Sequence, residues 1–301
     1  MASFDLVKDL PDLSHKVILV TGGTAGLGQE VVCQLAAHGT PRIFFTGRNA
    51  KSADATIQQA KSVANSAARL TFIPCDLTDL KSTAEAGEYI AHETDKLDWV
   101  FCNAGIMAAP ADLSKDGWEI QFATNHLGHA MLVKKLLPTL QRTARSGADV
   151  RVIFSTSLGF KFASTIDFDT LNTKQESVIF GGFRRYGQSK LANILYAAEL
   201  ARRYPEITSV SVHPGVIRTG IITGLSTFNR YFTELTTWGS QTTVHEGAKN
   251  QLWASSVAKS NIVNGEYYEP IGKPGGHTQA SKDDALAAKL YDWTEDVITK
   301  Y

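Results

Sequence analysis

The 301-residue sequence predicts a doubly wound α/β fold, with one seven-stranded parallel sheet and helices on both faces. Three observations predict it. Short continuous apolar runs recur along the chain, the mark of strands buried on both faces. These runs alternate with stretches in which apolar residues fall at helical spacing, the pattern of parallel β-α-β units. No Ser/Gly/Pro-rich linker and no internal repeat interrupts the alternation, so residues 1–301 read as a single domain.

The elements follow in order. Residues 16–21 (KVILVT) form the first strand, stopped by glycines, and a helix follows over 26–38. Residues 42–46 (RIFFT) are the second strand, 50–67 a helix, 70–74 (LTFIP) the third strand and 79–94 a helix. Residues 97–102 (LDWVFC) are the fourth strand, followed by a long helical region over 113–145. Residues 150–154 are the fifth strand, 184–204 a helix stopped by Pro205, and 209–213 the sixth strand. Residues 265–270 supply a seventh, and Ser281-Lys-Asp-Asp284 resembles a capping box opening a last helix to 299. Two stretches break the alternation, 158–183 and 219–241. Both follow strands, where open α/β sheets bind ligands, and both are rich in apolar residues, among them Phe160, Phe162, Phe168, Phe180 and Phe183 in the first. The second reads either as core or as a lid over a substrate.

Composition excludes several functions. Lys+Arg and Asp+Glu are 30 each, so the chain has no electrostatic footprint for nucleic acid or an anionic membrane. With 43% hydrophobic and 20% charged residues it is an ordinary globular sequence. Cys33, Cys75 and Cys102 lie in apolar stretches with no C-x-x-C, and read as core residues rather than as disulfides or zinc ligands. No secretory signal, lipidation motif or apolar run of roughly 18–20 residues is present, and the expected setting is cytoplasmic, without membrane insertion.

The candidate chemistry begins at Thr21-Gly-Gly-Thr-Ala-Gly-Leu-Gly28, directly after the first strand. Glycines there permit a tight turn and let backbone N–H groups approach a phosphate at a helix N-terminus. The spacing is not the common G-x-G-x-x-G, and by itself the turn serves any tight strand–helix connection equally well. After the second strand stands Thr46-Gly-Arg-Asn49, where a fold preferring NAD usually carries an acidic residue. No carboxylate opposes a 2′-phosphate there, and Arg48 can pair with one. Further on, Tyr186-Gly-Gln-Ser-Lys190 sets a phenol and an ammonium on one helix face. The ammonium favours phenolate, which makes the pair a plausible acid/base device. His126, His129 and His213 lack metal-ligand spacing and read as structural or surface histidines. Arg184-Arg185 does not amount to a nucleic-acid patch.

Taken together, Thr21-Gly-x3-Gly-x-Gly28, Asn103-Ala-Gly105, Asn125, Ser157, Tyr186-x3-Lys190 and Pro214-Gly215 resemble, in order and spacing, the short-chain dehydrogenase/reductase family over residues 15–270. The 29 residues from Ser157 to Tyr186 (186 − 157), with Leu10-Pro-Asp-Leu-Ser14 and the segment 246–253, look like the retinol-dehydrogenase-like branch and its fungal members. The resemblance implies a Rossmann-type fold and an NADP(H)-dependent oxidoreductase. Tyr186 is then the general acid or base, Lys190 holds the nicotinamide ribose and lowers the Tyr186 pKa, and Ser157 bonds the substrate oxygen, with Ser155 the fallback. Asn125 kinks a helix and positions a water linked to Lys190. Gly22, Thr24, Gly26, Leu27, Gly28, Arg48, Asn49, Asp76, Leu77, Asn103, Ala104, Gly105, Pro214, Gly215, Val216 and Thr219 surround the cofactor. Asp76 serves equally as a helix N-cap, and Asn103 as a tie between strands. The expected substrate is a hydrophobic ketone, aldehyde or alcohol, in fungal specialised metabolism, and family habit suggests a homodimer. A non-redox epimerase, dehydratase or cyclase, or a non-catalytic NADP-binding protein, is the alternative.

Overall fold

Side chains of the first strand, β1 (Val17–Val20), divide between two cores. Ile18 and Val20 belong to one apolar cluster and Leu19 to the other, and all three are fully buried. That is what a continuous apolar run demands, because successive residues point to opposite faces. The protein is described by a computed structural model over residues 4–64, 68–176, 181–217 and 241–301.

The strands that follow are β2 (Arg42–Gly47), β3 (Arg69–Pro74), β4 (Trp99–Cys102), β5 (Arg151–Ser155) and β6 (Thr208–Val212). Beyond them come the two-residue strands β7 (Val216–Ile217) and β8 (Gln241–Thr242), then β9 (Tyr267–Glu269) and β10 (Lys273–Pro274). The main sheet runs β10-β9-β6-β5-β4-β1-β2-β3. Its seven strands from β9 to β3 are parallel, as expected from the sequence. An eighth, β10, pairs antiparallel with β9 at the edge, so the sheet is not wholly parallel. Two residues ending in a proline gave no periodic signal by which to find it. β7 and β8 make a separate small parallel pair.

One face of the sheet is covered by α2 (Gly26–Ala37), α3 (Ala50–Val63) and α8 (Val244–Ser256), with the short α1 (Leu6–Asp9). The other carries α4 (Leu80–Glu93), α6 (Gly128–Arg145), α7 (Gly181–Arg203) and α9 (Asp284–Ile298). α9 is fixed by rings: Tyr291 stacks on Tyr196 at 5.3 Å and Trp293 meets Trp118 edge-on at 5.2 Å.

Two boundaries and one side-chain orientation depart from the sequence reading. Residues 113–119 are not helical. Leu113 and Glu119 form an isolated antiparallel bridge, and helix begins at α5 (Ile120–Phe122), where the Glu119 carboxylate accepts from Phe122 N. A π-helical turn (Ala123–Leu127) then joins α5 to α6. The last helix starts at Asp284 with Asp283 as its cap, while Ser281 lies in the preceding 3₁₀ turn. Finally, Phe160 and Phe168, expected to line a substrate stretch, pack inward: Phe160 against Tyr267 and Phe168 against Trp293. Phe180 and the stretch 219–240, including Thr219, lie outside the described residues.

Strand order reverses between β2 and β4, which flank β1. A parallel sheet leaves a crevice beyond its carboxyl ends at such a point. The segments beginning at Thr21, Arg48, Cys75, Asn103, Thr156 and His213 all leave the sheet at that end.

Candidate active site

The turn after β1 is built around missing side chains. Gly22 and Gly26 have φ of +64° and +54°, a region that disfavours other residues. A Cβ at Gly28 would lie 2.3 Å from the Gly22 carbonyl oxygen, and one at Gly47 would lie 2.6 Å from the Thr24 side chain. No side chain caps the N-terminus of α2. Its first-turn N–H groups therefore face the crevice as open donors at the positive end of the helix dipole. An uncapped helix behind a glycine cradle fits the pyrophosphate of a dinucleotide.

Around this turn, Arg48 is exposed beyond β2, and no described carboxylate pairs with it. Asn49 caps α3 by accepting from Ser52 N at 3.0 Å. Asp76 accepts from the N–H and hydroxyl of Thr78. The N-cap of α4 is Asp79, which removes that alternative for Asp76. Leu77 is buried against Gly128, where a Cβ would sit 2.7 Å from its carbonyl oxygen. Leu27 lies against Gly247, on α8. Asn103 does tie elements together: its Nδ2 donates to Thr21 O and its Oδ1 accepts from Gln251 Nε2. Ala104 packs on Gly22, and Gly105 leaves space for Asn125 Oδ1 and Lys190 Nζ, which a Cβ would meet at 3.0 and 3.3 Å. Beyond β6, Pro214 and Gly215 (φ +92°) are half-buried and lead to Val216 in β7.

On the opposite wall, α7 turns Tyr186 toward Ser157. The two side chains are hydrogen-bonded, and burial pushes the phenol up to about 12 against that bond. Ser157 also caps the 3₁₀ turn Leu158–Phe162 through Gly159 N. Lys190 Nζ lies 5.6 Å from the Tyr186 ring centroid and donates to Ser155 O at 3.0 Å; burial brings it down to about 8. The lysine was expected to lower the tyrosine. In this geometry desolvation is the largest influence on the phenol, opposed by the Ser157 hydrogen bond, while the ammonium donates to a backbone carbonyl. Of the serines after Phe154, Ser157 faces Tyr186, while Ser155 is buried and accepts from Gln251 Nε2.

Asn125 sits in the π turn. Its Oδ1 accepts from Ile106 N at 2.8 Å, and its Nδ2 donates to Ile106 O and to Ser189 Oγ. The kink expected at this residue is the π turn itself.

A family model described as short chain dehydrogenase matches residues 16–164. A short-chain dehydrogenase/reductase of Armillaria gallica is 35% identical over 292 residues, spanning 96% of this chain and 92% of that one. The chain belongs to the short-chain dehydrogenase/reductase family. Human retinol dehydrogenase 14 is 31% identical over 96% of this chain and 88% of its own. The fold likeness extends to an NADPH-bound carbonyl reductase from chicken fatty liver, with a TM-score of 0.65 at 23% identity over 87% of this chain and 99% of that one.

Members of this family are oxidoreductases that bind a nicotinamide cofactor, and the glycine cradle above fits one. Several residues of this short-chain dehydrogenase/reductase site escaped the motif reading. Gln251 bridges Asn103 and Ser155 from α8, and Ser189 anchors Asn125. Gln251 is 148 residues from Asn103 and 96 from Ser155, so no spacing links them. Ser189 lies next to Lys190 and was legible only as part of the Tyr186–Lys190 motif.

Proposed function

We propose that the protein is an NADP(H)-dependent oxidoreductase that interconverts a hydrophobic ketone or aldehyde and the corresponding alcohol. The observation that carries this reading is the meeting of Tyr186, Ser157 and Lys190 at the sheet end that also carries the glycine turn. When bound, the nicotinamide supplies the hydride to the carbonyl carbon, or accepts it in the reverse direction. The chain supplies the proton and the geometry. Tyr186, protonated across the neutral range, gives its proton to the carbonyl oxygen as that oxygen gains charge. Ser157 donates a second hydrogen bond to the same oxygen. Lys190, buried and cationic near neutrality, favours the phenolate left behind and is placed to reach the ribose hydroxyls. Asn125 holds the 103–106 segment that faces Lys190.

NADP(H) rather than NAD(H) is supported by Arg48, exposed and unpaired among the described residues, with no carboxylate at the end of β2 to repel a 2′-phosphate. An apolar substrate is supported by Leu158 and Phe162, 38% and 56% exposed on the 3₁₀ turn that packs against α7 beside Tyr186. The similarity to the Armillaria gallica relative supports kinship with fungal members, and fungal specialised metabolism is the setting we propose.

The test is a panel of apolar ketones and aldehydes beside polar sugar phosphates, each with NADPH. NADPH consumption equal to alcohol formed, confined to the apolar compounds, is expected. Product without net NADPH loss would contradict redox turnover and favour an epimerase, dehydratase or cyclase.

A further inference from the structure

Residues 103–106, which line the space in front of Lys190, are gripped at both ends by residue 125. At one end Asn125 bonds Ile106 directly, through both its side-chain oxygen and its side-chain nitrogen. At the other end the connection is indirect and runs through His129. The His129 Nδ1 lies 2.9 Å from the backbone oxygen of Asn125, and its Nε2 lies 2.8 Å from Thr21 Oγ1. Thr21 Oγ1 in turn accepts from Asn103 N at 2.9 Å and Ala104 N at 3.0 Å. Thr21, Asn125 and His129 are all fully buried.

The donors can be assigned. A carbonyl only accepts, so Nδ1 carries the ring proton in the bond to Asn125 O. In a neutral ring Nε2 is then the acceptor, and Thr21 donates to it. Burial and the nearby Lys190 ammonium keep the ring neutral, with its pKa brought down to about 4. The Thr21 hydroxyl has one proton and two acceptors within reach, His129 Nε2 at 2.8 Å and Phe101 O at 3.2 Å, and the shorter contact favours the imidazole.

We propose that His129 is a positioning residue: its neutral ring ties the root of the glycine turn, at Thr21, to the backbone of Asn125, and so sets the nucleotide cradle against the Asn125–Lys190 side of the site. The inference rests on the function proposed above. Spacing alone left His129 a structural or surface histidine, yet it lies one helical turn after Asn125, where two side chains share a face.

Replacing His129 with leucine leaves the Thr21 hydroxyl and the Asn125 carbonyl without this partner, a loss that corresponds to about tenfold in an equilibrium or rate constant. His129→Gln keeps an acceptor for Thr21. The experiment compares wild type, H129L, H129Q and T21V in nucleotide Kd by calorimetry, in kcat and nucleotide KM, and in Tm. It adds nitrogen-15 NMR of the wild-type imidazole rings. About tenfold weaker nucleotide binding and lower kcat in H129L, recovery of most of it in H129Q, weaker nucleotide binding in T21V, and a neutral Nδ1–H ring from pH 5.5 to 8 are expected. A lowered Tm in H129L with Kd, kcat and KM unchanged would overturn the proposal, as would an Nε2–H ring in the wild type. If H129L does not fold, H129Q, T21V and the ring spectrum decide. If wild type reduces no carbonyl, the function reading fails, while Kd and the ring tautomer still judge His129.

Discussion

The ammonium of Lys190 donates to the carbonyl of Ser155 at 3.0 Å, and among the described residues no carboxylate pairs with it. A buried lysine without a carboxylate is held at a cost to folding, which is why it sits near 8 rather than 10.5. The unfolded chain binds this proton more tightly, so Lys190 contributes a rise in stability as pH climbs from about 8 to about 10.5. Lys190→Met relieves the penalty. At pH 7 it is expected to stabilise the fold by on the order of 2–3 kcal/mol while abolishing turnover. Urea unfolding beside an activity assay checks both halves; a destabilised K190M contradicts the strain argument.

The buried histidines act in the same sense, in a window at lower pH. His126, His129 and His213 are brought down by burial to about 3, 4 and 4. In the unfolded chain they titrate near 6.5, so unfolding takes up protons between about pH 3 and 6.5. The stability they allow is complete above that window and falls as pH drops through it. Chemical unfolding at a series of pH values is expected to show this fall, and H129L is expected to reduce its slope by about one proton. Stability independent of pH between 4 and 6.5 contradicts their neutral burial.

Gly159 tests the seat of the phenol. A Cβ there would lie 2.9 Å from both Cδ1 and Cε1 of Tyr186, and 3.5 Å from Ser157 Oγ. Gly159→Ala is expected to push the ring aside and lower kcat by about tenfold or more, because misplacement of a proton donor is costly. Tm is expected to change little, since the glycine is half-buried. Wild-type kcat in G159A removes the claim that this contact positions Tyr186.

Arg48 tests nucleotide choice. Arg48→Asp places a carboxylate beside the end of β2, where it repels a 2′-phosphate and accepts from a 2′-hydroxyl. The ratio of kcat/KM for NADPH over NADH is expected to fall by about a hundredfold, a loss of ~2–3 kcal/mol for a phosphate–guanidinium contact and its replacement by repulsion. An unchanged ratio rules Arg48 out as the selector.

The sequence carried the sheet and the site motifs further than it carried the ties between them. Strands buried on both faces announce themselves as unbroken apolar runs, and β1, β2, β4, β5 and β6 fall close to where those runs lie. Tyr186, Ser157 and Lys190 stand out by order and spacing; in the structure Ser157 bonds Tyr186 while Ser155 accepts from Gln251. The 113–119 segment reads as helix because its apolar spacing is helical, whereas the helix starts only after Glu119, whose carboxylate caps it by accepting from Phe122 N. Phe160 and Phe168 were misread because an aromatic residue in a loop has no periodicity to say which way it faces; Tyr267 and Trp293, far along the chain, draw them inward. Gln251 and Thr21 act through partners on other strands, and such pairings exist only once the sheet is assembled.

Tyr186→Phe is the most direct test of the account, because it removes one hydroxyl and leaves the ring, the helix and the glycine turn in place. Steady-state NADPH oxidation with an apolar ketone, beside calorimetric nucleotide binding, gives the answer. The account predicts a fall in kcat of about 10²–10⁴ with nucleotide Kd unchanged. Turnover at the wild-type rate would contradict it.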